Sequence, residues 1–387
     1  MNRLILIGNG FDLAHGLKTS YNDFIIWYLI NAFSQAIEDG KYDDELLEIN
    51  ILNRRNRPFV LGELKDIPSF IKLFYDNEGF AALLNNPPDL KIPTKRGNTY
   101  TNPFRIKLKS ELMETLLLKC RYANWVDIEN EFYEQLKNIL NFKAKPPGAL
   151  RYNYKTKVMA LQALNHALKN LIIQLKRYLE TIPPSPNIKA YLNIFNSDIL
   201  KGDIVTTDIE GNDKPCDTLV LNFNYTSTAE KYIKASKNNP QAIRINYIHG
   251  KLKDDNNPFI FGFGDELDEY YVKMEMEKTE GFFEYIKSFW YFKTSNYHDL
   301  IRFIEGKDFQ VYVLGHSCGL SDRTMLNMIF EHQLCKSIKI FYYIDDKGTD
   351  NFKILTQEIS RHFKNKGEMR KKIVPFNKSR SMPQFVS

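Results

Sequence analysis

The sequence predicts an α/β fold: a parallel sheet carrying a large all-helical insertion. Three observations predict it. An apolar run, Leu4 to Ile7, opens the chain and ends in Gly8-Asn9-Gly10. Helical patterns dominate up to about residue 200. After Asn212-Asp213-Lys214-Pro215 the texture changes, and short apolar runs alternate with helical stretches. That alternation implies βαβ units and a parallel sheet. The first run needs strand partners, and the middle of the chain offers few. The expected organisation is therefore a split core, residues 1–24 joined to 205–387, with residues 25–204 inserted between them.

Leu4–Ile7 has the unbroken apolar character of a strand buried on both faces. Ser20 starts a helix, with Asp23 three residues later resembling a capping box. Phe24, Ile25, Tyr28, Leu29 and Phe33 then fall at helical spacing. Further helices are expected at Ile106–Lys119, Trp125–Leu140, Thr156–Leu179 and Ile188–Ile199. Pro87-Pro88, Pro146-Pro147-Gly148 and Pro183-Pro184-Ser185-Pro186 separate them. Asn86 to Phe104 reads as a long loop. Beyond residue 212, strands are expected at Thr218–Leu221, Ile243–Ile248, Phe259–Phe261, Val311–Leu314 and Ile338–Tyr343. Helices are expected at Glu230–Lys237, Thr324–Gln333 and Asn351–Phe363.

A chain of 387 residues exceeds what one compact core usually takes. With 43% hydrophobic and 26% charged residues it has the composition of an ordinary globular protein. Its apolar runs fall short of the ~18 residues that suggest a membrane span. The first run is followed by Gly-Asn-Gly-Phe-Asp rather than a small-residue cleavage site, which argues against a signal peptide. Four cysteines, Cys120, Cys216, Cys318 and Cys335, form no Cys-x-x-Cys pair. They suggest neither a disulfide framework nor a zinc site, and a reducing cytoplasm fits best. The net charge of +6 is mild, and part of it sits in a basic tail, residues 365–387. A solvated terminus is the favoured reading of that tail over a nucleic-acid contact, and no nucleic-acid-binding signature supports the latter.

Chemistry concentrates at predicted strand ends, where open α/β sheets place their ligands. Gly8-Asn9-Gly10 lacks the third glycine of a dinucleotide fingerprint, since Leu13 stands there. It reads equally as a phosphate loop and as a tight turn. Asp12 follows, as a ligand contact or a helix cap. Asn222 and Asn224 lie two apart, on one face of a strand, and can close its end by local hydrogen bonds. His249 ends the run Ile243–Ile248 and is followed by Gly250. Gly315-His316-Ser317-Cys318-Gly319 matches the nucleophile-elbow pattern, with Asp345 and His362 later in the order Ser, Asp, His. Two features oppose a serine hydrolase. Ser321 reads as the true helix cap, and His362 lies within a helical pattern. The milder reading is a second loop in which Ser317 meets a ribose or phosphate. Trp125, Asp127, Glu129 and Glu131 sit at a helix start, where carboxylates complement the helix dipole; lining a cleft is the alternative.

The block from Leu4 to Phe24 resembles the opening of the bacteriophage abortive infection AbiH family. Trp125 to Glu129, Asn222-Phe223-Asn224-Tyr225, Tyr247-Ile248-His249-Gly250 and Gly315-His316-Ser317 resemble its later blocks. The resemblance implies a bacterial cytoplasmic protein of phage defence. The same blocks are similar to those of sirtuin-like NAD-binding domains, which implies a Rossmann-like (sirtuin-like) sheet. Carried over, Gly8, Asn9, Gly10 and Asp12 would bind NAD, with the glycines at its phosphates. Gly315 and Ser317 would form the late binding loop, and Asn224 and His249 would be catalytic. Thr226 departs from that pattern, which has Asp there, and the four-cysteine zinc module is missing. The resemblance thus implies NAD hydrolysis at the nicotinamide glycosidic bond, without a metal. A non-catalytic nucleotide sensor is the alternative. Homo-oligomerisation and a phage-derived trigger are the partners that such a role implies.

Overall fold

The structure is a computed structural model, and it describes residues 1–51, 91–93, 99–101, 104–123, 127–142, 154–205, 213–236 and 243–385. Pro87-Pro88, Trp125 and Pro146-Pro147-Gly148 lie outside the described residues. The chain forms two compact units. One comprises Met1–Thr19, Leu179–Glu277 and Tyr285–Ser387, the other Ser20–Tyr178 and Lys278–Glu284.

The strands are β1 (Asn2–Ile7), β2 (Lys41–Asp43), β3 (Leu47–Ile51), β4 (Lys91–Pro93), β5 (Thr99–Thr101), β6 (Phe104–Leu108), β7 (Thr218–Asn222), β8 (Ile243–Tyr247), β9 (Phe309–Leu314), β10 (Cys335–Tyr342) and β11 (Arg380–Ser381). The first unit is built on a six-stranded sheet in the order β11-β10-β9-β1-β7-β8. Every pair in it is parallel. Counted outward from β1, the chain runs first through β7 and β8, then returns to β9 and continues through β10 to β11. The strand order therefore reverses between β1 and β9, and open α/β sheets bind ligands outside the carboxyl ends of their strands at such a reversal.

Side chains alternate across a strand, so β1 supplies two cores at once. Leu4 and Leu6 join Leu219, Leu221, Val311 and Val313 on one face. Helices Asn296–Gly306, Arg323–Glu331 and Phe352–Ser360 cover that face through Leu300, Phe303, Leu326, Ile329 and Ile359. Ile5 and Ile7 join Val220 and Leu314 on the other face, under Phe11, Tyr191, Phe195 and Tyr232. Each such buried side chain contributes roughly 1.5–3 kcal/mol. The sheet also buries an ion pair. Lys339 of β10 meets Asp203 at 2.8 Å, both almost fully buried, and Gln310 of β9 bridges Asp203 and Ser337.

Phe259–Phe261, expected as a strand, forms no strand; the Ile260 amide donates to the His249 carbonyl and its carbonyl accepts from the Tyr225 hydroxyl. The basic tail is docked rather than merely solvated. Asn365 caps helix Lys366–Lys372, buried Lys372 donates to the carbonyls of Phe330 and His332, and β11 extends the sheet edge.

The second unit contains the helix Tyr21–Asp39, whose start is the expected capping box between Ser20 and Asp23. Helices Glu111–Ala123, Ile128–Leu140 and Lys157–Glu180 follow. The insertion is not all-helical. β2, β3 and β6 form an antiparallel sheet, and β4 pairs with β5 inside the expected loop. Ile106, expected to open a helix, lies in β6. There Phe104, Ile106 and Leu108 are buried while Arg105 and Lys107 are exposed, the period-two pattern of a half-buried strand.

Candidate functional site

The register of the sheet gathers the strand ends. Ile7 pairs with Leu314 on one side and Asn222 on the other, and Asn222 pairs with Tyr247. Gly8 and the first turn of helix Asn9–Ala14 follow β1 directly, rather than a loop, and the segments after β9, β7 and β8 carry Gly315–Ser317, Asn224 and His249, so all stand at the carboxyl ends of the strands.

The two glycine loops interlock. The Gly8 amide donates to the Leu314 carbonyl at 3.2 Å and the Gly10 amide to the Gly315 carbonyl at 2.8 Å. A Cβ at Gly8 would lie 2.6 Å from the Cα of His316, and one at Gly10 would lie 2.8 Å from the Gly315 oxygen. Gly315 itself has φ +69, and a Cβ there would stand 2.1 Å from the Phe11 nitrogen. These glycines are needed for backbone to pack on backbone, so the Gly8 and Gly10 amides are already committed. Asn9 and Ser317 remain exposed at the rim, with Asn9 accepting a hydrogen bond from Thr19 at 2.6 Å.

Asn224 and Asp12 share a second cluster. β7 ends at Asn222, so Asn224 sits in the turn after the strand rather than on it. Asn222 closes that turn, accepting from the Asn224 amide and donating to the Thr226 carbonyl. The Asn224 side chain donates to the Gly8 carbonyl at 3.0 Å. Thr226 donates its hydroxyl to Asp12 Oδ2 at 2.6 Å. Asp12 Oδ1 is buried and has no hydrogen-bond partner among the described residues. Burial pushes the Asp12 carboxyl up to about 6, against hydrogen bonds from Thr226, Thr228 and Asn224 and the charge of Lys231.

His249 belongs to a third cluster, which sequence reasoning missed. Gly250, at φ +89, lets the chain turn beneath the Pro258 carbonyl, where a Cβ would come within 2.1 Å. His249 Nε2 then lies 3.1 Å from Asp322 Oδ1 and 3.2 Å from the Tyr291 hydroxyl. Lys287 donates to the same carboxylate oxygen at 2.8 Å and is 0% exposed. His316 Nε2 approaches Asp322 Oδ2 at 3.7 Å, while its Nδ1 accepts from the Cys318 amide. The Phe223 ring sits edge-on between the two imidazoles. Burial pulls both histidines down, His316 to about 4, with Lys287 adding to the effect on His249. Burial alone would raise Asp322, yet Lys287 and the histidines hold it well below the carboxylate range. Lys287 stands in no motif. Asp322 lies in the segment whose serine reads as a helix cap, although Ser321 does not cap Arg323–Glu331.

The Ser317, Asp345 and His362 set does not assemble. His362 Nε2 is bonded to the Cys318 carbonyl and the ring is buried. Asp345 accepts from the amides of Lys347 and Thr349 in its own turn. In the second unit Asp127 caps helix Ile128–Leu140 by accepting from the Asn130 amide, and Glu131 pairs with Lys119 at 2.5 Å.

No described helix is long and apolar enough to cross a membrane. No curated protein and no solved structure matches the chain. The model of one family, bacteriophage abortive infection AbiH, matches residues 4–344. That match covers most of the chain and includes the glycine loops, Asn224, His249 and Asp322, so the protein belongs to the bacteriophage abortive infection AbiH family.

Proposed function

We propose that the protein serves abortive infection by binding NAD at the carboxyl edge of a Rossmann-like, sirtuin-like sheet and hydrolysing its nicotinamide glycosidic bond. The register that brings the glycine segments, at the reversal of strand order, and Asn224 and His249, after the next two strands, to the same carboxyl end of the sheet carries this reading. Asn9 and Ser317, exposed at the rim, are the side chains placed to meet phosphate and ribose; the glycines hold the loops that present them.

The chemistry asks little of the protein. Nicotinamide leaves neutral, taking the electron pair of its bond to C1′. The oxygen of a water attacks C1′, and a water proton passes to neutral His249. The products are nicotinamide and ADP-ribose, and the proton is later released to solvent. Asn224 orients a ribose hydroxyl or that water. Burial favours the neutral imidazole that a base requires.

A binding-only sensor is the second reading. His249 is 6% exposed, and Asp322, Tyr291 and the Phe223 backbone all engage its ring. Incubation of the purified protein with NAD, with and without extract of phage-infected cells, separates the two. Free nicotinamide that disappears in both His249→Ala and Asn224→Ala supports hydrolysis. Loss of a base typically lowers the rate ~100-fold to 10,000-fold, and the paired effects should not add, because both residues serve one step. Saturable NAD binding with no nicotinamide under either condition makes the protein a sensor.

A further inference from the structure

We propose that Asp322 is the positioning residue of this site: held by Lys287, it fixes the tautomer and orientation of His249. The inference rests on the reading of His249 as the base. An ionised carboxylate only accepts hydrogen bonds. With Asp322 Oδ1 3.1 Å away, Nε2 of His249 therefore carries a proton, and a proton taken in catalysis goes to Nδ1.

Two donors reach the one carboxylate and a third group faces it. Lys287 and His249 reach Oδ1, and His316 faces Oδ2. The His316 tautomer is fixed as well, since its Nδ1 accepts from the Cys318 amide and its hydrogen must then lie on Nε2, toward Asp322. The remaining groups around His249 are the Tyr291 hydroxyl, the Phe223 backbone and the edge-on Phe223 ring. A lone carboxylate buried here would take up a proton and lose its hold on the imidazole. The Lys287 ammonium keeps it ionised. The pair is neutral while His249 is neutral, and the carboxylate stabilises the imidazolium once the proton arrives.

Removing one partner of a buried ion pair is strongly destabilising, whereas replacing both is often tolerated. The test is therefore the double variant Lys287→Met/Asp322→Asn, with its fold checked by thermal melting. The first readout is the ring-nitrogen NMR spectrum of histidine-labelled protein without NAD. The wild type should show His249 in the single Nε2–H form, and the variant a mixture of tautomers. The second readout is nicotinamide release, expected to fall roughly 100-fold or more in kcat, since a mis-set tautomer is costly in histidine-based catalysis. Should the double variant not fold, the wild-type spectrum decides alone: His249 with its proton on Nδ1, or in a mixture of tautomers, overturns the proposal. A folded variant that keeps the wild-type tautomer and rate overturns the proposal. If the tautomer changes but even the wild type releases no nicotinamide, the hydrolase reading fails while the positioning of His249 by Asp322 stands.

Discussion

The Gly10 amide donates to the Gly315 carbonyl across 2.8 Å, joining the first turn of helix Asn9–Ala14 to the loop after β9. The two residues lie 305 positions apart, yet their backbones are packed too closely for a side chain on either. This joint sets the floor of the candidate site at the reversal in strand order.

Gly10→Ala tests the joint. The new Cβ would meet the oxygen and Cα of Gly315 at 2.8 and 2.9 Å, and both are backbone atoms that cannot swing away. Overpacking of this kind costs about 1–3 kcal/mol. A lower denaturant midpoint is expected, with the proposed NAD binding weakened in parallel. An unchanged midpoint would show that the loops part easily.

Asp12 gives a pH dependence of definite sign. Its folded-state pKa, about 6, is raised from an ordinary 3.8, so the native state binds the proton more tightly than the unfolded chain. Stability from this group is full below about pH 4 and is lost as pH rises through about 6. Ionised Asp12 then carries a penalty of roughly 3 kcal/mol at neutral pH. Asp12→Asn keeps an acceptor for Thr226 and should raise stability at pH 7, with the gain vanishing near pH 4. Unfolding curves at both pH values check this, and equal gains would contradict it.

Ser317 should behave as an ordinary serine. A fluorophosphonate probe is expected to leave it unlabelled, because His362 is bonded to the Cys318 carbonyl. Stoichiometric labelling lost in Ser317→Ala would require a rearranged loop and would revive the serine hydrolase.

Asp203→Ala should be among the most damaging substitutions away from the site. It strands the buried Lys339 ammonium, at a cost of about 3–5 kcal/mol. Replacing both, as Asp203→Ala/Lys339→Met, should recover most of the loss. Urea unfolding of the single and double variants decides it.

Local pattern determined a good deal of this protein. The unbroken apolar run of β1, the capping box at Ser20 and the alternation of runs after residue 212 each carry a short-range physical signature, and, Phe259–Phe261 apart, elements form where those signatures stand. β6 was equally written in Phe104, Ile106 and Leu108, but its five residues merge into the helical pattern that follows. The glycines of the two loops were visible as glycines. What they approach was not, since a close contact between positions 10 and 315 leaves no trace in either neighbourhood. The same holds for the His249 cluster. Lys287 comes from one segment and His316 and Asp322 from the connection after β9, both remote from His249 in sequence, and an isolated lysine or aspartate in a sequence looks like a solvated surface charge. Only the tertiary structure, by burying them together out of water, turns those charges into a mutually dependent set around one imidazole.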